Sequence, residues 1–463
     1  MPPSFQQRSL RQVAGPLWVE NMLRTSLTTV DVFMLSFYSE KAVAAVGLVN
    51  QFVFFIQLMY LMVSSGASIL MAQYLGAGER EQAQKTALGS VVLGVAFALV
   101  LSLAVALGAR GLIGLYGVEP EVGLFAVQFL VIYASGSVFV ALSMLQATLL
   151  RVHGKTKSPM FINMAANLVN VLGNSLFLFG WFGLPVLGVV GVALSTVLSQ
   201  ALTCVALAVI IHRHPDTRLD LRRAKDLRWS TYRRILSVGV PTGGENLSYN
   251  LAQIVNMRFI AAFGTTAMTA YVYLGSFLRY VFISSISIGS ATQIKVGWWV
   301  GQGQEDTAAR KALRYFVLGM SISVGMVVLL NLVQTSVFGL MTKNPAILTL
   351  IGSVLVVSMV LEPGRNFNVI LIPALKGAGD VRFPVVLGVI FMWGVGVLGS
   401  WLFGVVLGWG LVGVYVALCL DEWTRGLMAF LRWRSGRWRG KGFAGNQAAA
   451  VQAKAISPVA EEE

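Results

Sequence analysis

The chain has 463 residues, 56% of them hydrophobic and 12% charged, with a mean hydropathy of +0.72. That is more apolar surface than a soluble core of this length buries, which excludes a cytosolic enzyme. Its 35 Lys and Arg against 20 Asp and Glu give a net charge of +15, yet the bases sit in short gaps between long apolar runs. This layout fits loops beside a bilayer and speaks against a nucleic-acid partner. Cys204 and Cys419 both lie in apolar runs, so neither a disulfide framework nor a cysteine metal site is expected. The first residues are polar, with Arg8 and Arg11, and lack the short apolar core of a removable signal peptide.

A membrane-crossing helix needs about 20 apolar residues, and such runs recur twelve times. The predicted spans are 12–36, 44–72, 86–108, 123–148, 158–180, 187–211, 232–262, 267–296, 312–339, 346–374, 383–406 and 410–433. The fold class is therefore all-α integral membrane. A basic stretch at 212–231 divides it into an N-lobe (12–211) and a C-lobe (232–433), flanked by an N-terminus (1–11) and a tail (434–463) read as disordered. Placing both termini and the even-numbered loops on one side collects 27 of the 35 bases there and leaves Lys41, Arg110 and Lys343 opposite. That side is predicted to be cytoplasmic, in a multi-pass protein of the cell inner (plasma) membrane.

In chain order, the first polar signal is on span one, where Glu20, Arg24 and Asp31 fall within about 40 degrees of one another on the helix. Glu20 and Arg24 suit either a self-neutralising i, i+4 pair or a cleft contact. Asp31 has apolar helical neighbours, Leu27 and Leu35, and is the first candidate for ion coupling; the alternative is a buried acid permanently satisfied by hydrogen bonds. His153-Gly154-Lys155-Thr156 lacks the upstream glycine and strand of a phosphate loop and reads as a basic loop. Span five carries Asn163, Asn167, Asn170 and Asn174 on one face, either as partners for Asp31 or as glue between helices. His212 and His214, like His153, lie in loops, so no metal site is expected. Span seven bears Glu245, Tyr249 and Asn256. Span ten bears Glu362-Pro363-Gly364-Arg365-Asn366, which could gate, bind or neutralise itself, and span twelve the local cluster Asp421, Glu422 and Arg425.

Sliding the chain against itself by 225 residues superposes Pro16 on Pro241, Glu20 on Glu245, Asn21 on Asn246, Gly76 on Gly301 and Gly78 on Gly303. Two homologous six-span halves of the same orientation follow, a plan that commonly flanks a substrate pathway. Asp31 superposes on Asn256, so the halves are expected to be functionally unequal.

These residues resemble the multidrug and toxic compound extrusion (MATE) transporters over roughly 10–430. The resemblance is carried by Ala14-Gly15-Pro16 leading to Thr29-Val30-Asp31, by Gln73-Tyr74-Leu75-Gly76-Ala77-Gly78-Glu79 with its repeat at Gly301-Gln302-Gly303, and by Asn170-Val171-Leu172-Gly173-Asn174 with Gly180. Lys376-Gly377-Ala378-Gly379-Asp380 before Pro384 completes it. The resemblance implies twelve helices in two lobes and export of small organic cations or amphiphiles, driven by a proton or sodium gradient, with no cofactor beyond that ion. It makes Asp31 the coupling carboxylate, with Asn170, Asn174 and Thr196 as partners, and Pro16 a bending point of the first helix. Glu20, Arg24, Glu245, Tyr249, Asn256, Glu362 and Arg365 are then cleft or gating residues. Two departures stand out: Asn174 where members similar to DinF often have Asp, and Arg365 near where NorM-like members carry an Asp, with Glu362 three residues earlier. The chain is thus read as a secondary transporter and not an enzyme. A lipid-linked saccharide flippase is the alternative, although its pyrophosphate would ask for a more cationic cleft. The oligomeric state is not legible, and a monomer suffices.

Overall fold

The computed structural model describes residues 8–183 and 185–444. The expectations for 1–7 and for the tail from 445 onward lie outside the described residues. Among those described, the first half contains α1 (Leu10–Ser36), α2 (Glu40–Gly76), α3 (Arg80–Gly114), α4 (Pro120–Ser135), α5 (Ser137–Val152), α6 (Lys157–Phe179) and α7 (Val189–Arg213). The second half contains α8 (Trp229–Ala262), α9 (Thr265–Gly301), α10 (Glu305–Leu332), α11 (Gln334–Gly339), α12 (Pro345–Asn366), α13 (Ile372–Gly377), α14 (Arg382–Phe391) and α15 (Gly410–Arg434). A π-helical turn, Phe367–Leu371, joins α12 to α13, and two more, Met392–Val397 and Ser400–Val406, continue α14. These helices make the twelve spans.

Local sequence sets the ends. Ser9 and Gln12 form a reciprocal capping box on α1, and Asn344 accepts from Ala346 N with Pro345 in the first turn of α12, each satisfying backbone donors the helix leaves free. Eight spans are individually long and apolar enough to cross a bilayer, and α4 with α5 makes a ninth, bent by 48°. The other three, α1, α8 and α15, carry the intramembrane charges that lower their hydropathy. Apolar side chains face outward as well as inward: Leu99, Leu103 and Leu107, one turn apart on α3, are all exposed. Hydrocarbon in place of water makes such a stripe favourable.

The single span expected at 123–148 is broken at Gly136, where a Cβ would run into the Val197 side chain of α7. The span expected at 312–339 begins earlier and ends in the separate turn α11. The described part of the tail expected to be disordered, 434–444, is ordered. Trp438 stacks on Trp433 at 4.3 Å between ring centroids, Lys441 Nζ reaches Asp380 Oδ1 at 2.7 Å, and Phe443 N donates to Gln73 Oε1 at 2.6 Å.

The chain forms two compact units, one of residues up to Met71 with Glu81–Gly243, the other of Ala72–Arg80 with Gly244 onward. The start of α8 thus belongs with the first unit and the last turn of α2 with the second, so the division falls inside helices and not in the 212–231 stretch. Within the first unit α2 and α8 touch through backbone. A Cβ on Gly239 would strike the Met62 carbonyl, whereas one on Gly47 meets nothing within 4 Å. Gly239→Ala is therefore expected to cost about 1–3 kcal/mol through overpacking, and Gly47→Ala to be neutral or stabilising by up to about 1 kcal/mol. Thermal unfolding of the two variants in detergent checks the contrast.

Candidate functional site

In the first unit α1 packs on α6 and α6 on α7. Between Asn170 and Asn174 stands Gly173, where a Cβ would lie 2.6 Å from Ser195 Oγ; its absence lets α7 approach closely enough for the neighbouring Thr196 to join the asparagines. Asn174 Nδ2 donates to Asp31 Oδ1 at 2.7 Å and to Asn170 Oδ1 at 3.3 Å. Asn170 Nδ2 donates to Thr196 Oγ1 at 3.2 Å, and Thr196 gives its own proton to Val192 O at 2.9 Å. All four residues named from the sequence for ion coupling thus meet in one hydrogen-bonded chain. Asn174 is fully buried, and its Oδ1 has no hydrogen-bond partner among the described residues. An unused amide oxygen beside a carboxylate and a hydroxyl is a hard-oxygen set, suited to a proton or a small monovalent cation.

Glu20 stands apart from this cluster. Arg151, at the end of α5, forms its ion pair, and Asn163 Nδ2 donates to Glu20 Oε1 at 2.7 Å. Arg24 donates to Gln57 Oε1 at 2.8 Å, and Gln57 Nε2 to Tyr133 OH at 3.0 Å. The self-contained pair read along α1 is thus corrected to contacts between helices, because a base from α5 reaches the acid. In the second unit Glu245 pairs with Lys376 Nζ at 2.5 Å. Both pairs join residues 131 apart, and the 225-residue shift that carries Glu20 onto Glu245 also carries Arg151 onto Lys376. Both bases fall among the predicted loop charges, and the 225-residue repeat extended to them is the sequence signal of the pairs.

The second unit has no copy of the Asp31 cluster among its described residues. Asn256, at the Asp31 position, is buried with Oδ1 unpartnered, and Tyr249 OH accepts from Gln253 Nε2 at 2.8 Å. The same shift carries Thr196 onto Asp421, so here the acid stands on the last helix. Gly426 lets α15 approach α12: a Cβ there would lie 3.0 Å from Gly364 O. Five charges then form one network. Arg365 binds Glu362 and comes within 3.7 Å of Glu422. Arg425 grips Asp421 through two bonds of 2.9 and 2.6 Å and lies 3.3 Å from Glu422. Asn368, in the π-helical turn, donates to Glu422 Oε2 at 2.6 Å. The two clusters kept separate by sequence reading are one.

The MatE family model matches residues 16–176 and 241–402, beginning each time at the proline that the repeat superposes. The chain belongs to the MATE family. It is 34% identical to the "Uncharacterized transporter YisQ" of Bacillus subtilis, over 96% of this chain and 97% of that one. It is 24% identical to the "Probable multidrug resistance protein NorM" of Thermotoga maritima, over 93% of each chain. A solved structure described as "MATE in the bent conformation" superposes with a TM-score of 0.84 at 19% identity, covering 97% of this chain and 96% of that one. These likenesses do not favour the flippase.

As in the resemblance read from the sequence, this MATE chain carries Pro16 inside its first helix, and Pro241 stands likewise inside α8. Each proline precedes by one turn the carboxylate held by a base, Glu20 or Glu245. A proline removes one backbone hydrogen bond from its helix, so both helices have a weak point next to an ionic anchor.

Proposed function

We propose that the protein is a multidrug exporter that exchanges a proton or a sodium ion for organic cations and amphiphiles by alternating access of its two halves. The observation that carries this reading is the Asp31–Asn174–Asn170–Thr196 chain, with its unpartnered buried amide oxygen. Ion binding there favours the state that releases substrate, and it does so only to the extent that the ion binds one state more tightly than the other. Pro16 supplies the place where α1 bends between states. Glu20, Glu245 and Glu362, each tied to a base, act as locks that shift with the helices, and Arg24, Tyr249, Asn256 and Arg365 hold their surroundings. The basic loops support an inner-membrane protein with both termini in the cytoplasm.

Proteoliposomes loaded with ethidium or with a zwitterionic fluorescent amphiphile, and given a proton or a sodium gradient separately, test the reading. One of the two gradients is expected to drive dye movement. Rates equal to those of protein-free vesicles under both gradients, from folded protein, would overturn ion-coupled export.

A further inference from the structure

In the second unit every acid within the spans is held by a base. Glu245 has Lys376, Glu362 has Arg365, and Asp421 and Glu422 share Arg425. The network of three carboxylates and two guanidiniums has one acid in excess, but its unpartnered oxygen, Glu362 Oε2, is fully buried. A ligand reaching this unit therefore meets no open carboxylate within the spans.

The open charge near the middle of its spans is Arg279. This residue stands near the middle of α9, is exposed, and forms no ion pair or hydrogen bond among the described residues. Val272, Ser276, Arg279 and Tyr280 are the exposed positions of that stretch, and their spacing of four, three and one puts them on one helix face. A guanidinium at mid-bilayer facing lipid is costly, and half of a roughly 30 Å hydrocarbon layer is too far for its stem to snorkel. Arg258 is different: it is four residues from the end of α8 and reaches the headgroup level. The Arg279 face therefore suits a water-filled path and not lipid. The next residue, Tyr280, is exposed on the same face, and two turns towards the start of α9 the Tyr271 ring meets Tyr415 edge-on at 6.5 Å. A planar five-donor fork next to aromatic rings is a receptor for a carboxylate on an aromatic body.

We propose that Arg279 selects amphiphiles that carry a carboxylate, so that the substrates of this chain are organic acids and zwitterions more than simple cations. The proposal rests on the export reading above and names its substrate class. It is tested on purified protein in nanodiscs by fluorescence titration with dansylglycine, its methyl ester and ethidium. Wild type is expected to bind the acid about tenfold more tightly than the ester. Arg279→Gln abolishes that preference, Arg279→Lys keeps part of it, and Lys343→Gln, in the loop before α12, leaves it intact. Equal binding of acid and ester by wild type, or a preference that survives in Arg279→Gln, overturns the proposal. Tight binding of ethidium alone also overturns it while leaving cation export standing. Folded protein that binds none of the three contradicts both readings.

Discussion

Asp31→Asn is expected to reduce gradient-driven dye export to the rate of protein-free vesicles while leaving the protein folded. The two side chains have the same shape, and the environment accommodates the change. Asn174 Nδ2 now donates to Asp31 Oδ1 at 2.7 Å, and the buried Asn174 Oδ1 has no partner among the described residues, so the new amide at position 31 finds an acceptor already in place. What the substitution removes is the only charge in the cluster, and with it the ability to hold a proton or bind a cation at full strength. Export in the absence of a gradient, down a dye concentration difference, is expected to persist. Transport assays of the two kinds, with size-exclusion profiles to confirm folding, separate loss of coupling from loss of structure.

Arg425→Leu is expected to cost about 3–5 kcal/mol, because it leaves two buried carboxylates without their shared base. Asp421, Glu422 and Arg425 are all buried, and Arg425 makes the only bidentate contact in the network. With the charge kept but the fork lost, Arg425→Lys is expected to fall between wild type and Arg425→Leu. Combining Arg425→Leu with Asp421→Leu removes a matched pair and recovers part of the loss, since a buried pair replaced together by apolar groups is often tolerated. Folded yield and thermal unfolding in detergent order the four proteins: wild type, Arg425→Lys and the double variant above Arg425→Leu.

The twelve spans were legible because each is a run of apolar residues whose length the bilayer dictates. The break at Gly136 was not, since a glycine in an apolar run carries no mark of the valine that packs against it. Asp31, Asn170 and Asn174 were legible as polar groups at helical spacing, whereas Thr196 came from the family resemblance, because a single threonine in an apolar helix gives no signal of its own. The union of Glu362 and Arg365 with Asp421, Glu422 and Arg425 escaped sequence reading because it depends on α12 meeting α15, which no periodicity within one helix encodes. Trp438 was the overlooked sign that the stretch just after α15 is folded: a large, mostly apolar ring so close to the bundle is buried, and its Nε1–H donates to Trp433 O at 2.8 Å.

Ion binding to purified protein tests the coupling assignment most directly, by retention of radiolabelled sodium and by proton uptake or release in weakly buffered solution, for wild type beside Asp31→Asn. The expected result is saturable binding of one of the two ions by wild type and its loss in the variant. Binding of the same ion, with undiminished affinity, by Asp31→Asn would place the coupling site elsewhere and contradict the account.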